Sequence, residues 1–169
     1  MNQIYLIRHA NSEWNHRAET NKKNLKDGLI SEEQYEKVRK EIYADYSLID
    51  SPLSHKGFDQ CTAAISQSDA KIKSELTQTL PDVSLVFVSP LRRCMETAYR
   101  LFKDHPNFEN ITFLVEPLIR EQLHASCDVP GDINVTLKEY SAKFPKLDTS
   151  LLPKLPDSTF DCLWFVKTL

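Results

Sequence analysis

The sequence predicts an α/β fold with three layers, in which helices cover both faces of a largely parallel sheet. Three short runs of β-forming apolar residues support this prediction, at Ile4–Ile7, Ser84–Val88 and Ile111–Val115. Each run is too short for a helix, and stretches with helical signals lie between them. Strands that alternate with helices favour parallel pairing, because a parallel connection needs a crossover long enough to hold a helix.

Composition narrows the class of protein. The 169 residues are 41% hydrophobic and 27% charged, which indicates a single globular domain over residues 1–169. The net charge of −3 argues against electrostatic binding of nucleic acid or a membrane surface, so a phosphate site would be a local basic pocket. The four cysteines form no C-x-x-C pair, and we expect reduced core thiols rather than zinc ligands or disulfides. A strand that starts near residue 3 leaves no room for a targeting segment, and no apolar run is long enough to span a membrane, so we expect a cytoplasmic protein.

The predicted first strand places Arg8 and His9 at its carboxyl end, where open α/β sheets bind their ligands. The planar guanidinium of Arg8 is suited to a phosphate, and a neutral His9 beside that cation is suited to nucleophilic attack. Ser12 and Asn15 follow within one turn and add short hydrogen-bonding side chains. Taken alone, the same residues also fit an exposed Arg–His pair at the end of a strand.

Residues 16–49 form a predicted helical insertion before the next apolar segment. Its polar first part, residues 16–28, predicts a mobile loop. Ser31 then begins a helix with Gln34 as its capping-box partner, and apolar residues recur at helical spacing on one face. That face consists of Tyr35, Val38, Ile42 and Tyr46.

Two further helices and a final apolar segment complete the prediction. A helix that begins at Ser54 is expected to continue to about Leu80, because Pro81 marks its end. Residues 136–144 predict a short helix, and the apolar residues 162–166 predict a final strand or helical turn against the core.

Candidate site residues also follow the second and third predicted strands. Ser89 is expected to cap a helix whose N-terminal amides face a phosphate, with Arg92 and Arg93 in its first turn. Glu121 follows the third strand at the same edge of the sheet, where a carboxyl group could protonate a leaving group. The alternatives are a doubly basic surface turn for the two arginines and a surface position for Glu121.

Four stretches of the chain carry these candidates: Arg8–Asn15, Asp50–Gln60, Ser89–Ala98 and Leu118–Gly131. In this order they resemble the signature blocks of the histidine phosphatase superfamily, which includes the phosphoglycerate mutases. Each block is modest by itself, but the four together in the family's order are specific. Ala10 stands where the first block usually has Gly.

The resemblance implies a phosphoglycerate mutase-like fold and a phosphohistidine formed on His9, with no metal or organic cofactor. The spacing of the third block favours Arg93 over Arg92 as the arginine that faces the site. The resemblance also implies that the insertion at residues 16–49 covers the mouth of the site as a lid, the alternative being a helix packed on the body without contact to substrate. It assigns charge stabilisation to Arg8 and Arg93, leaving-group protonation to Glu121, and substrate binding to Ser12, Asn15 and Ser89.

One departure from the family bears on activity: its second active-site histidine, on a late strand, has no match in the sequence. We therefore expect the last strand or strands of the family's sheet to be missing and residues 132–169 to be atypical. Three functions remain open: a phosphatase acting on a small phosphomonoester or a phosphoprotein, an inactive member that serves as a binding or structural subunit, and a mutase-type phosphotransferase. A protein partner or a second copy of the chain is expected to cover the exposed sheet edge.

Overall fold

The computed structural model describes residues 4–66 and 83–152 of the chain. Both helices and strands are present, as the sequence predicts for an α/β fold; they alternate in residues 83–152, whereas the elements of residues 4–66 are helices. The helices are α1 (Glu13–Lys26), α2 (Glu32–Ala44), α3 (His55–Ile65), α4 (Arg92–Phe102) and α5 (Ile133–Ser141), and the strands are β1 (Leu85–Val88), β2 (Thr112–Val115) and β3 (Leu147–Asp148). Short 3₁₀ turns lie at Tyr46–Leu48, Phe108–Asn110, Pro117–Ile119 and Ser126–Asp128.

The strands of the described residues form a small open parallel sheet in the order β1-β2-β3. Val88 at the end of β1 lies opposite Val115 at the end of β2, so both strands end at the same edge of the sheet. The predicted apolar runs at residues 84–88 and 111–115 are confirmed as these two strands. β3 was not predicted, because a two-residue strand has no periodic pattern to reveal it.

One face of the sheet forms the hydrophobic core with α4 and α5. Phe113 of β2 is fully buried and its ring centroid lies 4.4 Å from that of Phe144. The opposite face of β1 is open, with Leu85 exposed by 46% and Phe87 by 55%. The expectation that this strand is buried is therefore wrong for these two residues, because alternate side chains of a strand point to opposite faces.

The apolar segment Ile4–Ile7 is not a strand, and this prediction is wrong. Ile4 is 88% exposed and Leu6 is 95% exposed. Strand-forming residues need a neighbouring strand that offers backbone donors and acceptors, and none pairs with this segment within the described ranges. Arg8 and His9 consequently lie in a segment without regular secondary structure, outside the sheet.

The predicted loop at residues 16–28 is also wrong, since α1 occupies most of it. Ser12 caps α1 in a capping box with Asn15, Glu13 lies in its first turn, and lysines lie in its last turn, so local signals stabilise a polar helix. α1 packs against α2, where Trp14 contacts Tyr43 edge-to-face at 5.1 Å. A helix with few apolar residues shows little periodicity, which is why the sequence pattern missed it.

The predicted helix from Ser31 is confirmed as α2, with Ser31 and Gln34 forming the expected capping box. Its apolar face is only partly correct. Ile42 is buried, whereas Tyr46 lies in the 3₁₀ turn beyond the helix and is 84% exposed.

Three other helix boundaries differ from prediction. α3 begins after Ser54 as expected but ends at Ile65, where Ser66 is extended; the rest of that predicted helix lies outside the described residues. Asp132, rather than Thr136, marks the start of α5, because its carboxylate accepts two amides of the first turn.

The apolar segment at residues 162–166 lies outside the described residues. Ser89 does not cap α4, which begins after Leu91 without a side-chain cap of its own.

Cys61, Cys94 and Cys127 are free cysteines. Burial raises the pKa of the Cys127 thiol to about 12, so this side chain is neutral and a poor nucleophile. Across residues 4–66 and 83–152, no helix is long and apolar enough to cross a membrane.

Candidate functional site

The candidate site centres on a hydrogen bond between the side chains of Arg93 and His9. Arg93 Nε donates to His9 Nε2 at 3.2 Å, and His9 Nδ1 lies 2.7 Å from the carbonyl oxygen of Ala10. A carbonyl only accepts, so Nδ1 carries the proton and Nε2 holds a lone pair. This is the tautomer in which Nε2 can act as a nucleophile.

The surroundings of His9 keep its imidazole neutral. Burial lowers the pKa of His9 below its usual value of 6.5, and the charges of Arg93 and Arg8 lower it further. The Ala10 carbonyl and the charge of Glu121 oppose this shift. The net lowering means that His9 is uncharged at neutral pH, as a nucleophilic imidazole must be.

Arg93 is held by three different groups and is only 3% exposed. Besides its bond to His9, Nη1 donates to the carbonyl oxygen of Cys127, and Nη2 donates to Asp128 Oδ1 at 2.9 Å. The other carboxylate oxygen of Asp128 accepts the backbone amides of His124 and Ala125 at 3.2 and 3.1 Å. The guanidinium is thus a buried cation with a compensating charge and a fixed orientation.

Asp50 takes the position at the N-terminus of α4 that the sequence assigned to a phosphate. Its Oδ1 accepts the backbone amide of Arg92 at 2.8 Å, and it is 98% buried with φ of +45°. Burial raises the pKa of Asp50, while the Arg92 and Gly131 amides oppose the shift. A Cβ at Gly131 would lie 3.2 Å from Asp50 Oδ2, so the close approach of that turn favours glycine.

The turn that follows His9 is fixed by α3 and α4. The Ala10 amide donates to Thr97 Oγ1 at 3.0 Å, and the Asn11 amide donates to Gln60 Oε1 at 2.8 Å. Gly57 lies directly under this turn. Its backbone approaches Asn11 so closely that a Cβ would lie 2.1 Å from the Asn11 carbonyl oxygen. Side chains of the second and third stretches therefore position the residues of the first.

The three predicted substrate-binding residues form hydrogen bonds at the starts of helices α1 and α4. Ser12 is 1% exposed, its Oγ accepts the Asn15 amide at 3.2 Å, and its hydroxyl donates to Asn15 Oδ1 at 3.0 Å. These two side chains thus cap α1. Ser89 is 5% exposed and its Oγ accepts the Leu91 amide at 3.5 Å, just before α4.

The remaining two predicted residues lie at the surface beside His9. Arg8 is exposed, and Glu121 is exposed with its Oε1 accepting the Gln122 amide at 3.0 Å. Both act on the pKa of His9 through their charges. Within the part of the chain that the structure describes, no hydrogen bond joins Glu121 to His9 or Arg93. The structure thus brings His9 and Arg93 into direct contact and places Arg8 and Glu121 within electrostatic range.

Sequence reasoning missed Asp128 and Asp50 as members of the site. Both lie in stretches that resemble the family's blocks, Leu118–Gly131 and Asp50–Gln60, but the sequence assigns neither carboxylate a role. The signal that could have found Asp128 is Arg93, because a buried guanidinium requires a carboxylate partner. Asp50 bonds instead to the backbone amide of Arg92, a partner that no residue type in the sequence reveals.

No group of three or more His, Cys, Asp or Glu side chains suited to a metal ion occurs among residues 4–66 and 83–152. No protein-family model matches the chain, and no curated protein sequence matches it.

Proposed function

We propose that the protein is a phosphomonoester hydrolase of the histidine phosphatase superfamily that acts through a phosphohistidine on His9. The observation that carries this proposal is the 3.2 Å contact between Arg93 Nε and His9 Nε2. A phosphorus attacked by Nε2 has its oxygens next to that atom, within reach of the Arg93 guanidinium. A neutral nucleophile and a fixed cation at one point suit phosphoryl transfer, in which positioning and charge stabilisation provide most of the catalysis.

The reaction has two steps. First, the lone pair of His9 Nε2 attacks phosphorus, the ester P–O bond breaks, and the leaving oxygen takes a proton from Glu121. The Ala10 carbonyl accepts a hydrogen bond from Nδ1–H and stabilises the positive charge that develops on the imidazole. Water then attacks the phosphorus, returns a proton to Glu121, and the P–N bond electrons return to Nε2 as inorganic phosphate leaves. Arg93 and Arg8 stabilise the phosphoryl oxygens in both steps.

The resemblance to the family gains support from the way its four blocks meet. The first block carries His9, the second holds the following turn through Gln60, the third supplies Arg93 and Thr97, and the fourth supplies Asp128. A phosphoglycerate mutase-like sheet, a cytoplasmic location, and a small phosphomonoester or phosphoprotein substrate belong to the same proposal. The parallel order of the described strands is consistent with it.

A non-catalytic phosphate-binding subunit is the second candidate, and the site has two features that favour it. The Nε2 lone pair of His9 is already engaged by Arg93, which is 97% buried. Glu121, the proposed acid, is turned toward the amide of its own neighbour Gln122. A ligand would have to displace the Arg93 hydrogen bond before His9 could attack.

Phosphoenzyme trapping distinguishes the two candidates. The protein incubated with radiolabelled p-nitrophenyl phosphate and then denatured should carry an acid-labile, alkali-stable label, which His9→Ala abolishes. His55→Ala is the matched control, since the His55 side chain is 93% exposed and pairs with Asp59. Equal labelling of the parent and His9→Ala would refute the role of His9. Phosphate binding without label or turnover would establish the binding protein.

A further inference from the structure

We propose that Asp128 is the positioning residue that keeps the Arg93 guanidinium on His9, an inference that rests on the proposed function of this site. Among the described residues, no hydrogen bond joins Asp128 to His9. It acts through Arg93, whose Nη2 donates to Asp128 Oδ1 at 2.9 Å while Nε donates to His9 Nε2.

The charge balance of the site depends on Asp128. The Arg93 and Asp128 side chains are 3% and 6% exposed, so their charges are largely removed from water. Asp128 is the carboxylate that forms an ion pair with Arg93 in the described parts of the chain; the Cys127 carbonyl adds an acceptor but no charge. A buried cation without its counter-ion is unfavourable, so loss of the Asp128 charge would remove the ion pair that fixes the Arg93 guanidinium beside His9.

The orientation of Asp128 is itself fixed. Its Oδ2 accepts the amides of His124 and Ala125, and these two bonds close the 3₁₀ turn at Ser126–Asp128. Both carboxylate oxygens therefore have defined partners. The Cys127 carbonyl belongs to the same turn, so this turn supplies the acceptors for both Nη atoms of Arg93. Because the guanidinium is planar, fixing its two Nη atoms also fixes the direction in which Nε points.

The expected consequence is a loss in turnover rather than in substrate affinity alone. Misplacement of a charge-stabilising group by about 1 Å costs about 100-fold in rate. We expect Asp128→Asn to lower kcat for p-nitrophenyl phosphate by about that factor. KM should change much less, because Arg93 would still carry its charge.

The matched control is Asp132→Asn. Asp132 also accepts two backbone amides through its carboxylate, those of Asn134 and Val135, but it caps α5 and forms no ion pair within the described residues. Both substitutions therefore remove a carboxylate that braces a turn, and Asp128 differs in its contact with Arg93. Asp132→Asn should retain the parent's kcat.

The test combines a double-mutant cycle with NMR titration of the His9 ring. Arg93, Arg8 and Glu121 are the charged groups that act on this imidazole. If Asp128 acts through Arg93, Asp128→Asn raises the pKa of His9 toward the value in Arg93→Ala, and the double variant matches Arg93→Ala in both kcat and pKa. An unchanged or lowered His9 pKa in Asp128→Asn, or an additive loss in the double variant, would overturn the inference.

Two further measurements separate a failure of this inference from a variant that does not fold and from a failure of the proposed function. If Asp128→Asn does not fold, Asp128→Glu is measured instead, which keeps the charge but moves the carboxylate by one methylene. The same fall in kcat and the same rise in the pKa of His9 are expected. If the parent shows no turnover, the proposed function fails, whereas the His9 titration still decides whether Asp128 positions Arg93.

Discussion

Gly57 lies against the backbone of Asn11 so closely that a Cβ would be 2.1 Å from the Asn11 carbonyl oxygen. The obstacle is backbone, which cannot move aside as a flexible side chain could. Asn11 lies two residues after His9, and its amide is bonded to Gln60 on the same helix as Gly57. Packing at this point therefore controls where His9 lies.

The first prediction is that Gly57→Ala destabilises the protein by about 1–3 kcal/mol, the cost of overpacking a well-packed site. The free energy of unfolding in urea measures this loss. Gly28→Asn is the control: Gly28 has φ of +70° with no atom within 4 Å of its Cβ position, and Asn tolerates that backbone conformation. Equal stability of the parent and Gly57→Ala would contradict the close packing of Gly57 against the Asn11 backbone.

The second prediction separates the two neighbouring arginines. Arg93→Ala should weaken the binding of orthovanadate by about 1.5–3 kcal/mol, because it removes hydrogen bonds to a charged ligand. Arg92→Ala should cost far less, since the Arg92 side chain is 41% exposed and lies 3.9 Å from Glu139 in a weak ion pair. Calorimetric titration of the folded variants measures both affinities. Similar losses from both substitutions would contradict the assignment of Arg93.

The third prediction concerns the pH dependence of stability. The pKa of His9 is lower in the folded protein than its ordinary value of 6.5, so the unfolded chain binds the proton more tightly. The contribution of His9 to stability is therefore fully present above that ordinary pKa and is lost as the pH falls through it toward the folded value.

His9→Gln removes this titration and provides the comparison. The difference in unfolding free energy between the parent and His9→Gln should shrink as the pH is lowered from about 7.5 to 5.5, the range in which histidine titrates. Urea unfolding of both proteins at several pH values in this range measures the difference. Subtracting the unfolding free energy of His9→Gln from that of the parent removes the contributions of the other histidines. A difference that grows on acidification would mean that folding raises the pKa of His9.

The fourth prediction tests Glu121 as the acid. Glu121→Gln should lower kcat/KM for an alkyl phosphate by about 100-fold or more, the lower limit for general acid catalysis. Both substrates are compared by kcat/KM, because this ratio reports the first step alone and excludes the hydrolysis of the phosphohistidine. For p-nitrophenyl phosphate, whose leaving group departs without a proton, the change should be small. The exposed Glu109 provides a control substitution, Glu109→Gln. Equal losses on both substrates would show that Glu121 affects the site by another route than proton transfer.

Local sequence was sufficient to predict an element where that element is specified by residues adjacent in the chain. Ser31 and Gln34 specify the start of α2 because the capping box is formed within four residues. The apolar runs in β1 and β2 are likewise recognisable from their own composition, and the resemblance to the family's third block favours Arg93 over Arg92. His9 and Arg93 were thus predictable as candidates from the sequence.

Tertiary structure decided everything that depends on a distant partner. Ile4–Ile7 has the composition of a strand but is exposed, because a strand forms only where another strand offers paired backbone groups. Asp128 and Asp50 have no local signature of their roles, since their partners Arg93 and Arg92 lie 35 and 42 residues away. The sequence alone identified His9 and Arg93 as candidates. The packing of α3, α4 and the Ser126–Asp128 turn determined that these two side chains meet, because only folding brings residues so distant in the chain within hydrogen-bond distance.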